Sequence, residues 1–181
     1  IGELQRIEFN RLTTRPPPDY PNIFEAMAIH GIDTACYCFG ELEPSRLTVE
    51  NVTLDDNLNP TNASISIEFP GMKEALVDVG WAGKQENRQI NYFGSKGKIS
   101  VETGQTAKVM VSSGEGVNEL VINQAPLPLL REWQFLYDIY SSDTGESIYP
   151  QPGSIIRSVK WVESANMQIQ TTSTELNERI E

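Results

Sequence analysis

The stretch Gln89-Ile90-Asn91-Tyr92-Phe93-Gly94-Ser95-Lys96-Gly97-Lys98-Ile99-Ser100-Val101-Glu102 decides the fold. Residues 89–93 and 99–102 read as short β segments, and Gly94-Ser95-Lys96-Gly97 reads as the turn joining them, with glycine supplying the positive φ such a turn needs. The same grammar extends outward. Downstream, 107–112 and 119–122 are further β segments; upstream, 47–54, 63–69 and 75–81 are three more, with Pro70-Gly71-Met72-Lys73 as a second hairpin turn. Seven closely spaced segments predict an antiparallel sheet.

Before this run, residues 4–11 alternate, with Ile7 and Phe9 on one face and Arg6, Glu8 and Asn10 on the other, as in a strand. Arg15-Pro16-Pro17-Pro18-Asp19-Tyr20-Pro21 is a stiff extended connector, because proline fixes φ and biases the residue before it away from helix. Asn22 is placed to cap a helix over 22–39, whose buried stripe is Phe24, Ala28, Ile32, Ala35, Cys36 and Phe39, and Gly40 ends it. Beside that stripe, Ala26, His30, Asp33 and Tyr37 line up at steps of four, three and four. Two helices follow the sheet. The first carries Leu129, Leu130, Trp133, Leu136, Tyr137 and Tyr140 as an apolar stripe expected to pack on the sheet, with Trp133 in the core. In the second, Ser154 is a candidate cap and Ile155, Val159, Val162, Ala165 and Ile169 recur at helical spacing. Strand, helix, a run of strands and two helices predict an α+β domain over residues 1–181: an open, predominantly antiparallel sheet with helices packed on one face.

The 25 acidic and 14 basic residues give a formal net charge of −11, which argues against nucleic acid and anionic membranes as partners. No apolar run has the length of a membrane span, and no GxGxxG or GxxxxGK[ST] motif is present. A single histidine excludes the usual His/Cys zinc sites, so no metal is expected. Cys36 and Cys38 point to opposite sides of a helix, cannot bridge each other, and read as buried thiols of a cytoplasmic protein.

Four stretches together resemble the C-terminal domain of the glucose-fructose oxidoreductase and inositol dehydrogenase (Gfo/Idh/MocA) family. Residues 1–9 are similar to the strand after the family's cofactor domain. Ala28-Ile29-His30-Gly31-Ile32-Asp33, continuing through Tyr37 to Gly40, is similar to its His-x-x-Asp helix. Residues 91–99 are similar to its Gly-Thr-x-Gly hairpin, and Pro126-Leu127 with Trp133, Phe135 and Leu136 to its helix after the sheet. The resemblance implies oligomer contacts on the second sheet face. It also implies a sugar, polyol or related carbinol as substrate, and NAD or NADP bound by an N-terminal Rossmann domain. That half is not in this chain, which is expected to bind no cofactor and to be inactive alone. The absence of an initiator Met also suggests a fragment. The alternative is a non-catalytic, stand-alone binding or scaffold domain derived from the same family.

The resemblance makes His30 the catalytic candidate: oxidising a carbinol requires a group within hydrogen-bond reach that takes the hydroxyl proton. Asp33 either orients His30 from i+3 or is a solvated or helix-backbone-bonded acid. Tyr37 either lines the cleft or packs in the core. Arg11, with Arg15, either offers a guanidinium to a substrate's anionic or hydroxyl groups or only solvates a loop. Asp33, Tyr37 and Arg11 are the substrate-binding candidates. Trp81, alternating with Val77 and Val79, is assigned to sheet-face packing. Where the family carries an Asp one turn before the histidine this chain has Ala26, and Glu25 projects about 140° away from His30 at the helical period. An exposed apolar sheet face is expected to make the chain self-associate.

Overall fold

The computed structural model describes residues 1–18, 22–103, 108–120, 128–141 and 151–178. Expectations falling on Asp19-Tyr20-Pro21, Ala107, Val121, Ile122 and Pro126-Leu127 lie outside them. Among the described residues eight strands form one sheet: β1 (Leu4–Leu12), β2 (Arg46–Leu54), β3 (Pro60–Phe69), β4 (Lys73–Gly80), β5 (Asn87–Gly94), β6 (Gly97–Glu102), β7 (Lys108–Ser113) and β8 (Gly116–Leu120). Their order is β2-β3-β4-β1-β5-β6-β7-β8. Every pairing is antiparallel except β1 with β4, so the first strand sits between two consecutive meanders. The α+β class and the open, mostly antiparallel sheet are as the sequence predicts.

Register explains the two faces. Val49, Ile65, Val77, Phe9, Ile90, Val101, Val109 and Leu120 share one cross-sheet row, so one face is apolar on every strand. The opposite row through Thr48, Ser66, Leu76, Glu8, Asn91 and Ser100 is largely polar, with Asn91 donating to Glu8 (3.3 Å). The open face is therefore polar, not apolar as expected; the apolar surface left uncovered lies on the helix side, over β5–β8.

A helical segment beginning at Ile23 runs through a π turn (Phe24–Ala28) into α1 (Ile29–Cys38). Asn22 caps it as expected: its Oδ1 accepts from the Phe24 and Glu25 amides (3.0 and 3.3 Å). Gly40, at φ 80°, takes the left-handed conformation that terminates it. α1 and the helix α3 (Pro152–Glu178) cover β1–β4, and the core gathers there around Ile7, Phe24, Ile32, Ile65, Ile67 and Val77. Cys36 and Cys38 are free thiols on α1; burial pushes Cys36 up to about 11, and Cys38 pairs with Tyr92 of β5.

Both late helices depart from expectation. The helix α2 (Pro128–Ser141) is not packed on the sheet: Leu129, Leu130, Tyr137 and Tyr140 are exposed, and Trp133 is 64% exposed rather than in the core. In α3, Val162 and Ala165 are buried, but Ile155 and Val159 are exposed while Ser154, Arg157 and Ser158 face inward. The reason is what α3 meets: Arg157 donates to the Glu41 carboxylate (2.7 Å) and carbonyl (3.1 Å) just past α1, and Ser158 donates to Asp33 (3.0 Å). Ser154 lies inside the first turn, donating to the Gln151 carbonyl. Gly71, at φ 78°, serves its turn as expected, but Gly94 and Gly97 have no positive φ. They are required by crowding: a Cβ at Gly94 would sit on the Ile1 carbonyl and one at Gly97 on the Ser112 carbonyl.

Candidate functional site

α1 runs antiparallel to β1. Its head, at His30, lies by the carboxyl end of β1, while its tail stacks Phe39 edge-on against Phe69 (4.9 Å between centroids) at the other end of the sheet. Gly31 sets how closely the helix approaches. A Cβ there would lie 2.6 Å from a Val77 methyl and 2.9 Å from the Phe9 ring, so only glycine lets the segment beside His30 rest on β1 and β4. The preceding π turn, in which the Ile29 amide reaches back five residues to the Phe24 carbonyl, sets the phase at which His30 leaves that contact.

The His30 side chain is solvent-facing. Partial burial of the ring, then the Arg11 guanidinium, hold its pKa below 6.5, with Asp33 opposing them. At neutral pH the imidazole is therefore uncharged and able to accept a proton. Arg11 follows Ile7 and Phe9 on the helix side of β1, and its Cα partner on β5 is Arg88. Desolvation and that second guanidinium lower the pKa of Arg11, which stays charged at neutral pH. Asp33 is half-buried and accepts from Ser158 of α3, a fixed acid three residues from His30 rather than a freely solvated one. Tyr37 is 57% exposed and, seven residues further on, about 10 Å along the helix axis from His30. The structure thus brings His30, Asp33 and Arg11 together and leaves Tyr37 toward the opposite end.

Glu25 does not serve His30: its carboxylate accepts from Asn22 Nδ2 (2.8 Å), and Ala26 is exposed beside it. Trp81 packs against the core as expected, at the same end of the sheet as Arg11. A groove of ≈ 630 Å³ lined by Glu3, Arg6, Glu8, Lys73 and Phe93 lies at the other end of β1, and His30 does not line it. Among the described residues no group of three His, Cys, Asp or Glu side chains is arranged to hold a metal ion. No described helix is long and apolar enough to cross a membrane.

No family model and no curated protein matches this chain. Solved structures do. The UDP-N-acetylglucosamine 3-dehydrogenase GnnA from Acidithiobacillus ferrooxidans matches over 92% of this chain and 54% of its own, with a TM-score of 0.78 and 13% identity. A putative myo-inositol dehydrogenase from Sinorhizobium meliloti 1021 matches over 95% and 56%, with a TM-score of 0.71 and 18% identity. The fold is that of the C-terminal domain of Gfo/Idh/MocA-type oxidoreductases. The 3-ketoreductase KijD10 from Actinomadura kijaniata, solved with TDP-benzene and NADP, also has this Gfo/Idh/MocA-type fold, with a TM-score of 0.70 at 14% identity over 92% of this chain and 52% of its own. The chain spans about half the length of these structures.

The sequence reading missed Gly31, Ser158 and Arg88. A glycine inside a helix costs about 1 kcal/mol relative to alanine, which is a signal that it is kept for close packing. Arg88 and Ser158 carry no such signal, since only the strand register and the α1–α3 contact bring them to the site.

Proposed function

We propose that this chain is the substrate-binding half of an NAD(P)-dependent oxidoreductase acting on a sugar, polyol or related carbinol, in which His30 takes the substrate's hydroxyl proton. The observation that carries this reading is the placement of an uncharged, accessible imidazole at the rim of the sheet between a fixed carboxylate, Asp33, and a guanidinium, Arg11. Asp33 is the positioning residue, tied to α3 through Ser158, and Arg11 binds substrate. On this reading the cofactor is bound by another part of the complete protein, and this chain alone is inactive. The free thiols of α1 suit a cytoplasmic enzyme. Self-association across the polar sheet face would rest on hydrogen bonds and ion pairs rather than apolar burial.

The alternative, a scaffold domain that has lost catalysis, is favoured by one feature: Ala26 stands where the resemblance calls for an Asp one turn before His30, and Glu25 is bonded to Asn22 instead. His30→Asn in the complete polypeptide separates the two. The expected result is a kcat reduced by about 10²- to 10⁴-fold with an unchanged melting temperature, because the ring is surface-exposed. A variant as active as the parent would overturn the catalytic reading, and an upstream reading frame without a glycine-rich strand–helix turn would favour the scaffold.

A further inference from the structure

Like charges directly opposite one another on neighbouring strands repel and destabilise the pairing. Arg11 and Arg88 are such a pair, on adjacent strands in the middle of the sheet and on its helix side. Among the described residues their compensation is incomplete. Glu86 lies 3.4 Å from Arg88 Nε and also accepts from the Thr13 hydroxyl at 3.4 Å, whereas Arg11 has no ion-pair partner among the described residues. Arg88 Nε is buried and faces the Glu86 carboxylate without an aligned hydrogen bond, whereas Trp81 Nε1, on the strand-end residue two beyond Val79, which is Arg11's partner on β4, is buried with no hydrogen-bond partner among the described residues. Unsatisfied buried donors are uncommon and call for a ligand or water. The loop 81–84 is bonded back to 13–15, Ala82 donating to the Arg15 carbonyl and Gly83 to that of Thr13, which sets the exposed Arg15 and Lys84 in the two segments flanking this rim. In a chain of net charge −11, this concentration of cations at one edge runs against the overall field.

We infer that Arg11 and Arg88 form an oxyanion-binding clamp beside His30, so that the substrate is an acidic carbinol bearing a phosphate or a carboxylate rather than a neutral polyol. Guanidinium groups match both anions through paired N–H donors. The substrate class rests on the reading of His30 as the catalytic group; the clamp itself does not, and binding can be measured without catalysis.

The test is an NMR titration of this chain, following the Hε1 signal of its one histidine at constant ionic strength, with glucose 6-phosphate, glucuronate and glucose as probes. The expected result is a saturable shift with at least one acidic sugar and none with glucose, weakened about tenfold or more in Arg11→Gln and in Arg88→Gln. Comparing the two acids tells phosphate from carboxylate. Lys98→Gln, on the opposite sheet face, should bind as the parent does. Both arginine variants are expected to keep or gain thermal stability, since they relieve repulsion; a large loss in either would mark the pair as structural. Glucose shifting the signal as strongly as the acids, or no saturable shift with any probe, would overturn the clamp while leaving the His30→Asn result free to stand. Should an arginine variant not fold, the three probes on the parent chain still decide.

Discussion

The two halves of the sheet carry the same apolar row and have opposite fates. Over β2-β3-β4-β1 the row is roofed by α1 and α3, and Ile65 and Val77 are completely buried. Over β5–β8 no described helix makes an extensive contact, and Ile90, Val101 and Val111 are only partly buried while Leu120 is 51% exposed. The difference teaches where cohesion and chemistry reside. The roofed half holds the domain together, and the candidate site sits on the seam: Arg11 is on the last roofed strand, Arg88 on the first open one, and His30 at the edge of the roof.

The largest test of that contrast is a pair of truncations on the same face. Ile65→Ala, in the roofed half, is expected to cost about 2–5 kcal/mol in urea denaturation. Val111→Ala, in the open half, is expected to cost less than about 1 kcal/mol, because its side chain keeps part of its solvent contact. Equal costs would mean that something covers β5–β8 in solution. A smaller effect tests the seating of the roof. Gly31→Ala must displace Val77 or Phe9 and should destabilise by about 1–3 kcal/mol, shifting the His30 resonance as the helix lifts. An unchanged melting temperature and resonance would show that α1 does not bear on the sheet there.

The smallest effect is on protonation. The single imidazole should titrate below 6.5, move upward in Arg11→Gln and further downward in Asp33→Asn. The sign for stability follows: between the folded value and 6.5 the unfolded chain binds more protons, so stability falls as pH drops through about 6.5 and levels off below the folded value. His30→Asn removes that dependence, and a ring titrating above 6.5 would contradict the placement of Arg11 beside it.

Much of this was legible in the sequence because a strand writes its exposure into every second residue. Ile7, Phe9, Ile65, Ile67, Val77 and Val79 alternate cleanly and are all buried. The helical stripe of α2 was equally regular and misleading, since an apolar stripe asks for a partner without saying that the partner is this sheet, and Trp133 faces solvent for that reason. The α3 stripe meets the core over its later part, at Val162, Ala165 and Ile169, and fails at Ile155 and Val159, which face solvent. His30, Asp33 and Arg11 could be singled out one by one, but their meeting, and Arg88's arrival opposite Arg11, depend on pairings between segments distant in sequence. Gly94 and Gly97 show the same boundary: the turn was readable, whereas the crowding that demands glycine comes from Ile1 and Ser112.

Because the earliest strand lies between β4 and β5, it is the keystone of the architecture. β2-β3-β4 and β5-β6-β7-β8 can each zip locally as hairpins, yet among the described residues their sheet hydrogen bonding to one another runs through β1, nine residues made before either. Assembly must therefore wait for a contact that spans much of the polypeptide, a topology that slows folding. A ligand gripping both Arg11 and Arg88 would pull on that same joint, stitching the two ribbons at their shared hem.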